Sequence, residues 1–321
     1  MTRDDVVLVG VDGSVASLHA LDWAAAEAKT HGFAVQLVCS YALPSFTAAS
    51  LDGGYAALDD SAIQEGARGV IAEATARAEA HGVRTTGSLA TGDAAGVLVE
   101  LSRTVRLAVV GTRGRGGFAD RLLGTVSSAL PAHAFCPTVV VPMRPATGAD
   151  SAEPPALGPV RRIVVGVDGS PASDVALRQA IREAKAWGAE LTAVAAVPLG
   201  AGSAALAWLP AAVDHEAVLA DVAEGLNVVV ERALVEFPGV EVKRHVLAGT
   251  GAALLTEFST ATDLVVVGSR GRGGFVGLLM GSTSQAVLHH AACPVMVVTA
   301  RGADSPPTGR ITEIGDLYPR P

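Results

Sequence analysis

The chain has 321 residues, half of them hydrophobic, and a formal charge of −8. That length accommodates two ordinary domains with sizeable cores, and because aromatics are only 4% those cores must be built from Ala, Val and Leu. The acidic balance argues against a nucleic-acid coat or a general binder of anionic membranes, and three dispersed cysteines, Cys39, Cys136 and Cys293, exclude a disulfide framework and point to a reducing cytoplasm.

The start, Met1-Thr2-Arg3-Asp4-Asp5, shows no signal-peptide apolar region. No apolar run reaches the roughly 18 residues of a membrane-spanning helix. Val6 to Val11, interrupted only by Gly10, reads as a buried parallel strand that ends at Asp12-Gly13-Ser14. A helix capped near Ser14 follows, from about Val15 to Thr30, and His31-Gly32 stops it. Phe33 to Ser40 is the second predicted strand, and Ala42 to Ser61 a loop long enough to be a flap. Ala62 to Ala80 is an alanine-rich helix, Val83 to Ala90 a third strand, Thr91-Gly92-Asp93 a turn and Ala94 to Arg103 a short helix. Leu107 to Val110 is the fourth strand, and Val139 to Val141 lies in the fifth.

Strands alternating with helices predict an α/β fold with a parallel sheet. In such sheets ligands sit beyond the strand C-termini, where the strand order reverses. Asp12 and Gly111 both lie at such ends.

From Gly111 to Ser127 the fourth strand empties into a glycine-rich loop and then a helix. Glycines let backbone N–H groups approach an anion, and a helix N-terminus adds unpaired donors and a favourable dipole. The pattern, Gly-x2-Gly-x9-Gly-Thr/Ser, occurs twice: at Gly111, Gly114 and Gly124-Thr125, and again at Gly268, Gly271 and Gly281-Ser282. The rest of the chain repeats as well. Asp12-Gly13-Ser14 returns as Asp168-Gly169-Ser170, a displacement of 156 positions, and Cys136-Pro137 returns as Cys293-Pro294 after 157. A period this long is a duplicated domain, not a solenoid. The expected division is a first domain over residues 1–144, a linker rich in Ala, Gly and Pro over 145–160, a second domain over 161–300 and a mobile tail over 301–321.

The strand-Asp-Gly-Ser opening, the duplicated glycine loop and the Cys-Pro before the last strand resemble the universal stress protein family, in its tandem-domain, ATP-binding, actinobacterial class. The resemblance covers about Val6 to Pro142 and Arg161 to Val298. It implies two tandem copies of an open five-stranded parallel sheet in the order 3-2-1-4-5, flanked by helices, with adenine nucleotide between strands one and four. It further implies halves packed as a pseudo-dimer through their last strands, and homodimers of the whole chain.

Carried over position by position, the resemblance gives Asp12 the ribose or adenine edge, sets Gly10 beside the nucleotide and lets Ser40 meet adenine through its main chain. Gly111, Thr112, Arg113, Gly114, Arg115, Gly116, Gly117, Gly124, Thr125 and Val126 would surround the phosphates. The second half supplies Gly166, Asp168, Ala196, Gly268, Ser269, Arg270, Gly271, Arg272, Gly273, Gly274, Gly281, Ser282 and Thr283. Gly92 and Gly249, which open the turns after the third strands, would line the pockets. The implied function is an ATP-binding, nucleotide-dependent stress regulator with little or no catalysis, acting through a regulatory protein partner, with Mg²⁺ accompanying the triphosphate.

Each of these residues also has a plainer reading. Asp12 and Asp168 fit turn residues, the four loop arginines fit solubilising side chains, and Thr125 and Ser282 read as helix N-caps, a role compatible with a phosphate contact. Cys136 and Cys293 read as packed small side chains. His289-His290 and Asp214-His215-Glu216, the latter set in an expected loop, offer no metal spacing. Two other functions remain open on the residues. One is an ATP-using enzyme of related architecture, such as an adenylyl-transferring synthetase, but its Gly-x4-Gly-Lys-Ser/Thr, His-Ile-Gly-His and Ser-Gly-Gly-x-Asp-Ser signatures are absent, and the variant of it that stays open is slow ATP hydrolysis, which needs only a positioned water. A dinucleotide fingerprint is loosely met at Gly114 to Ala119, yet it is broken in the second half at Val276 and lies after the wrong strand.

Overall fold

The computed structural model describes residues 4–41, 60–112, 123–143, 157–198, 215–271 and 280–299. Most of the expected flap, most of the linker, the middle of both glycine loops and the expected tail lie outside these residues, and the last two flap residues, Asp60 and Ser61, instead begin a helix.

The first half contains β1 (Asp4–Gly10), α1 (Val15–His31), β2 (Ala34–Tyr41), α2 (Asp60–Ala80), β3 (Thr85–Thr91), α3 (Ala94–Leu101), β4 (Val105–Gly111), α4 (Thr125–His133) and β5 (Thr138–Val141). The second contains β6 (Arg162–Gly166), α5 (Pro171–Trp187), β7 (Glu190–Val197), α6 (His215–Leu234), β8 (Val242–Ala248), α7 (Gly251–Phe258), β9 (Leu264–Gly268), α8 (Ser282–His290) and β10 (Val295–Val298).

Local chemistry explains the boundaries. Ser14 and Ser170 sit in extended backbone, and their hydroxyls accept from the N–H groups of Ser17 and Ser173, which starts α1 and α5. Gly32 and Gly188 end those helices in the left-handed conformation, at φ 72° and 62°. Phe33 differs from expectation for a physical reason: its N–H bonds the carbonyl of Ala28 at 2.8 Å. It therefore completes the helix cap, and the strand starts one residue later. The expected loop around Asp214 is also corrected, because His215 and Glu216 form the first turn of α6.

Each half has the strand order 3-2-1-4-5, and the two halves join into one ten-stranded sheet, β3-β2-β1-β4-β5-β10-β9-β6-β7-β8. Within a half all pairings are parallel; the junction of β5 with β10 is antiparallel, with Val140 opposite Val295, Val139 opposite Met296 and Thr138 opposite Val297. The duplicated domains thus meet edge to edge about a pseudo-twofold axis, so neither last strand is left as an unpaired edge.

The central strands are buried on both faces, which explains their continuous β-branched runs. Alternate residues feed two cores. Val7 and Val9 pack under α1 and α2 in one layer, whereas Leu8 turns to the other, with Leu98 and Leu130. Each layer runs through both halves: Leu21 and Leu177 share the first, Leu98 and Leu255 the second. Cys39, Cys136 and Cys293 are all buried. No helix among the described residues is long and apolar enough to cross a membrane.

Candidate functional site

β6 and β9 run side by side and in parallel, yet between them in sequence the chain visits β7 and β8 on the far side of β6. The switch in direction leaves a gap above their C-terminal ends. A cavity of about 520 Å³ opens there, with Gly166, Asp168 and Ala196 on one side and Gly268, Gly271 and Gly281 on the other. It is within the usual range for a small-molecule site, roughly 300–1,000 Å³.

Asp168 projects just past the end of β6. Its Oδ1 accepts from the backbone N–H of Ser170 at 3.0 Å. Its Oδ2 faces Gly271 so closely that a Cβ at that glycine would stand 2.5 Å away. The glycine therefore lets the loop backbone lie against the carboxylate. Asp12 is held alike, with Oδ1 accepting from the N–H and the hydroxyl of Ser14 at 3.0 and 2.6 Å.

The opposite wall is the start of α8. Six helices begin within described residues together with their caps. Four of them, α1, α3, α5 and α7, are capped by the side chains of Ser14, Asp93, Ser170 and Thr250. The other two are α4 and α8, which follow the glycine loops; Gly124 and Gly281 occupy their caps, and neither cap residue supplies a side-chain bond to the first turn. This corrects the expectation that Thr125 and Ser282 are caps: each is the first residue of its helix. Ser282, Thr283 and Ser284 line the cavity, so the N–H groups of that turn, which have no partner within the helix, lie at its wall.

The loop ends are pinned by backbone. The Gly281 N–H donates to the Ser269 carbonyl at 2.8 Å, and the Ser284 hydroxyl to the Gly268 carbonyl at 2.6 Å. In the first half the Gly124 N–H and the Ser127 hydroxyl both donate to the Thr112 carbonyl, each at 2.8 Å. These bonds hold each helix N-terminus over the end of its central strand.

Other expected residues have structural duties. Gly111 and Gly268 let strand and helix touch: a Cβ on them would meet backbone atoms of Ala16 or Ala172 at 2.5 to 2.9 Å. Gly10 and Gly166 make room for Leu98 and Leu255. Ser40 spends its hydroxyl on the Gly92 carbonyl at 2.7 Å, while Ala196 leaves that position of the second half apolar and lines the cavity. Gly249, at φ 143°, shapes the turn, but the described lining includes Gly251 in its place. Gly92 makes the same turn at φ 127°. Ser269 is buried, and Arg270 lines the cavity. Val126 and Thr125 lie in the first turn of α4. Arg113, Gly114, Arg115, Gly116, Gly117, Arg272, Gly273 and Gly274 lie outside the described residues.

Several lining residues escaped the sequence reading: Val194, Leu255, Val267 and Met280 supply an apolar floor and side. Their only sequence mark is membership of buried runs, which a core residue shares.

Known proteins share this fold. The profile described as "Universal stress protein family" matches residues 5–142 and 159–299, one match per half. The chain belongs to the universal stress protein family. A universal stress protein of Mycobacterium tuberculosis is 34% identical over 315 residues, which cover 91% of this chain and 94% of that one. One from Mycolicibacterium smegmatis is 35% identical over 307 residues, or 92% and 97% of the two chains. The crystal structure of a universal stress protein from Archaeoglobus fulgidus superposes with a TM-score of 0.65 at 22% identity, covering 92% of this chain and 98% of that one, and so shares the fold.

Proposed function

We propose that this universal stress protein binds ATP, one molecule above the central strands of each half, and works as a nucleotide-dependent regulator of a stress or dormancy response. The observation that carries the reading is the second-half cavity, where the Asp168 carboxylate and the glycine-capped N-terminus of α8 line opposite walls. The two ends suit the two ends of a nucleotide. Asp168 accepts hydrogen bonds from ribose hydroxyls, and the first turn of α8, with Arg270 nearby, receives phosphate oxygens. Val194, Ala196 and Leu255 give the base an apolar surface.

Mg²⁺ fits only as a companion of the phosphates. Among the described lining residues Asp168 is the sole carboxylate, and one of its oxygens is engaged by Ser170. The metal would therefore arrive on the triphosphate, while the chain positions the nucleotide by main-chain donors. The same lining offers no second acid or histidine to activate water, which favours binding and release over hydrolysis.

Regulation follows if ATP binds two arrangements of the glycine loop unequally, since a ligand shifts an equilibrium only by its differential affinity. The shifted surface would be presented by a cytoplasmic homodimer to a regulatory protein. The test is to denature freshly purified protein, identify the released nucleotide, and titrate ATP into emptied protein. Asp168→Ala should weaken binding at the second site about tenfold, the loss of a charge-assisted bond worth about 1.5 kcal/mol. Undiminished ATP affinity when Asp12 and Asp168 are both replaced would defeat the proposal.

A further inference from the structure

Outside the lining of the second-half cavity, α1 and α5 meet where the two halves join, and they bury an unusual trio. Glu27 and Glu183 are each 2% exposed, and His31 lies between them. The His31 Nε2 is 3.1 Å from Glu27 Oε1 and 3.0 Å from Glu183 Oε2. Glu27 and Glu183 occupy equivalent positions of the duplication, 156 residues apart, and so do His31 and Trp187. Two carboxylates rarely share a water-excluded site with one imidazole, because each ion loses its hydration.

The oxygens that do not face His31 are also held. Trp187 Nε1 donates to Glu27 Oε2 at 2.8 Å, and Gln179 Nε2 donates to Glu183 Oε1 at 2.7 Å. His31 stacks on Phe33, with centroids 5.1 Å apart. Each carboxylate thus turns one oxygen to a common point while an outer donor fixes the other, the arrangement that orients metal ligands.

We propose that Glu27 Oε1, Glu183 Oε2 and His31 Nε2 form a divalent-metal site for zinc, with water as fourth ligand, that clasps the two halves together. The three ligand atoms lie within 4.8 Å of one another. The two spacings to His31 are near the approximately 3.3 Å expected between ligands on a tetrahedron with bonds of about 2.0 Å. Charge balances as well: one dication, two carboxylates and a neutral imidazole sum to zero, and the proton leaving His31 passes to solvent. Two oxygens and one imidazole nitrogen suit zinc better than magnesium or calcium. Entry is past His31, whose side chain is 16% exposed.

The test uses the full-length chain stripped of metal with a chelator and free of nucleotide, so that Mg²⁺ on ATP plays no part and the outcome is separate from that of nucleotide binding. Zinc is titrated in competition with a chromophoric chelator while tryptophan fluorescence reports on Trp187. The expected result is one equivalent per chain at micromolar affinity or tighter, with a fluorescence change at the same stoichiometry. Glu183→Gln, which keeps the side-chain shape, should weaken binding at least tenfold; Trp187→Phe, which removes only the outer donor, should weaken it about tenfold. Replacing His289 and His290 together with alanine controls for surface binding and should leave the site intact. Absence of a stoichiometric site in the wild-type chain, affinity unchanged in Glu183→Gln, or loss with the His289 and His290 pair would each overturn the proposal and leave the trio as an ion cluster alone.

Discussion

Two glycines of one motif separate packing from binding. At Gly268 an added Cβ would stand 2.8 and 2.9 Å from the backbone carbon and oxygen of Ala172, and backbone on a packed helix has little room to yield. At Gly271 it would meet the Asp168 Oδ2 at 2.5 Å, the tip of a side chain that can swing aside. Gly268→Ala should therefore lower unfolding stability by about 1–3 kcal/mol, as overpacked cores do. Gly271→Ala should change stability by less than about 0.5 kcal/mol, yet turn the carboxylate out of place and weaken ATP about tenfold at the second site. Denaturant titration and calorimetry on the same two proteins read both effects. A Gly271→Ala protein that is crippled in folding but retains full ATP affinity would reverse the assignment.

At the scale of elements, the helix–strand alternation and the domain duplication are written in periodic apolar runs and repeated turns, whereas the strand order follows only from the family resemblance, because apolar periodicity does not say which strands are neighbours. The site is written less evenly. Asp168 and the glycines announce themselves by recurring at strand ends, whereas Leu255 and Met280 look like any core residue, and the identity of the true caps, Gly124 and Gly281, needs backbone geometry. The contact between α1 and α5 was invisible because Glu183 is distant in sequence from its partners. So was the clamp between α1 and α2. Asp22 accepts two bonds from Arg77, both 2.7 Å, and lies 3.1 Å from His81 Nε2. Burial alone would raise the Asp22 pKa, but the bonds from Arg77 and His81 outweigh it and hold it below the ordinary aspartate range. A lowered carboxylate pKa contributes stability above the unfolded-state value and loses it as pH falls through the folded one. Arg77→Ala should cost about 1 kcal/mol near neutrality, given the partial exposure of the pair. The difference from wild type should shrink as the solution is acidified below the usual aspartate pKa. Urea midpoints for both proteins across acid pH check it; a constant difference would mean that Arg77 acts by packing alone.

For the whole molecule, the seam between β5 and β10 decides whether the halves behave as one body. It is short, four residues on each strand, but every residue in it is buried and both cores run across it. One group in it is out of place. Thr138 Oγ1 is buried with no hydrogen-bond partner among the described residues. The duplicated position, 157 residues on, is Val295, which fills the same volume without a hydroxyl. A buried unsatisfied hydroxyl costs about 1–3 kcal/mol, so Thr138→Val should stabilise the chain, by roughly 1 kcal/mol after repacking. If the seam couples the halves, that gain will appear as a single shifted transition, with far-ultraviolet circular dichroism and the fluorescence of Trp23 and Trp187 moving together. A gain confined to one of two separable transitions would show instead that each five-stranded half folds on its own and the shared sheet is only a contact between finished domains.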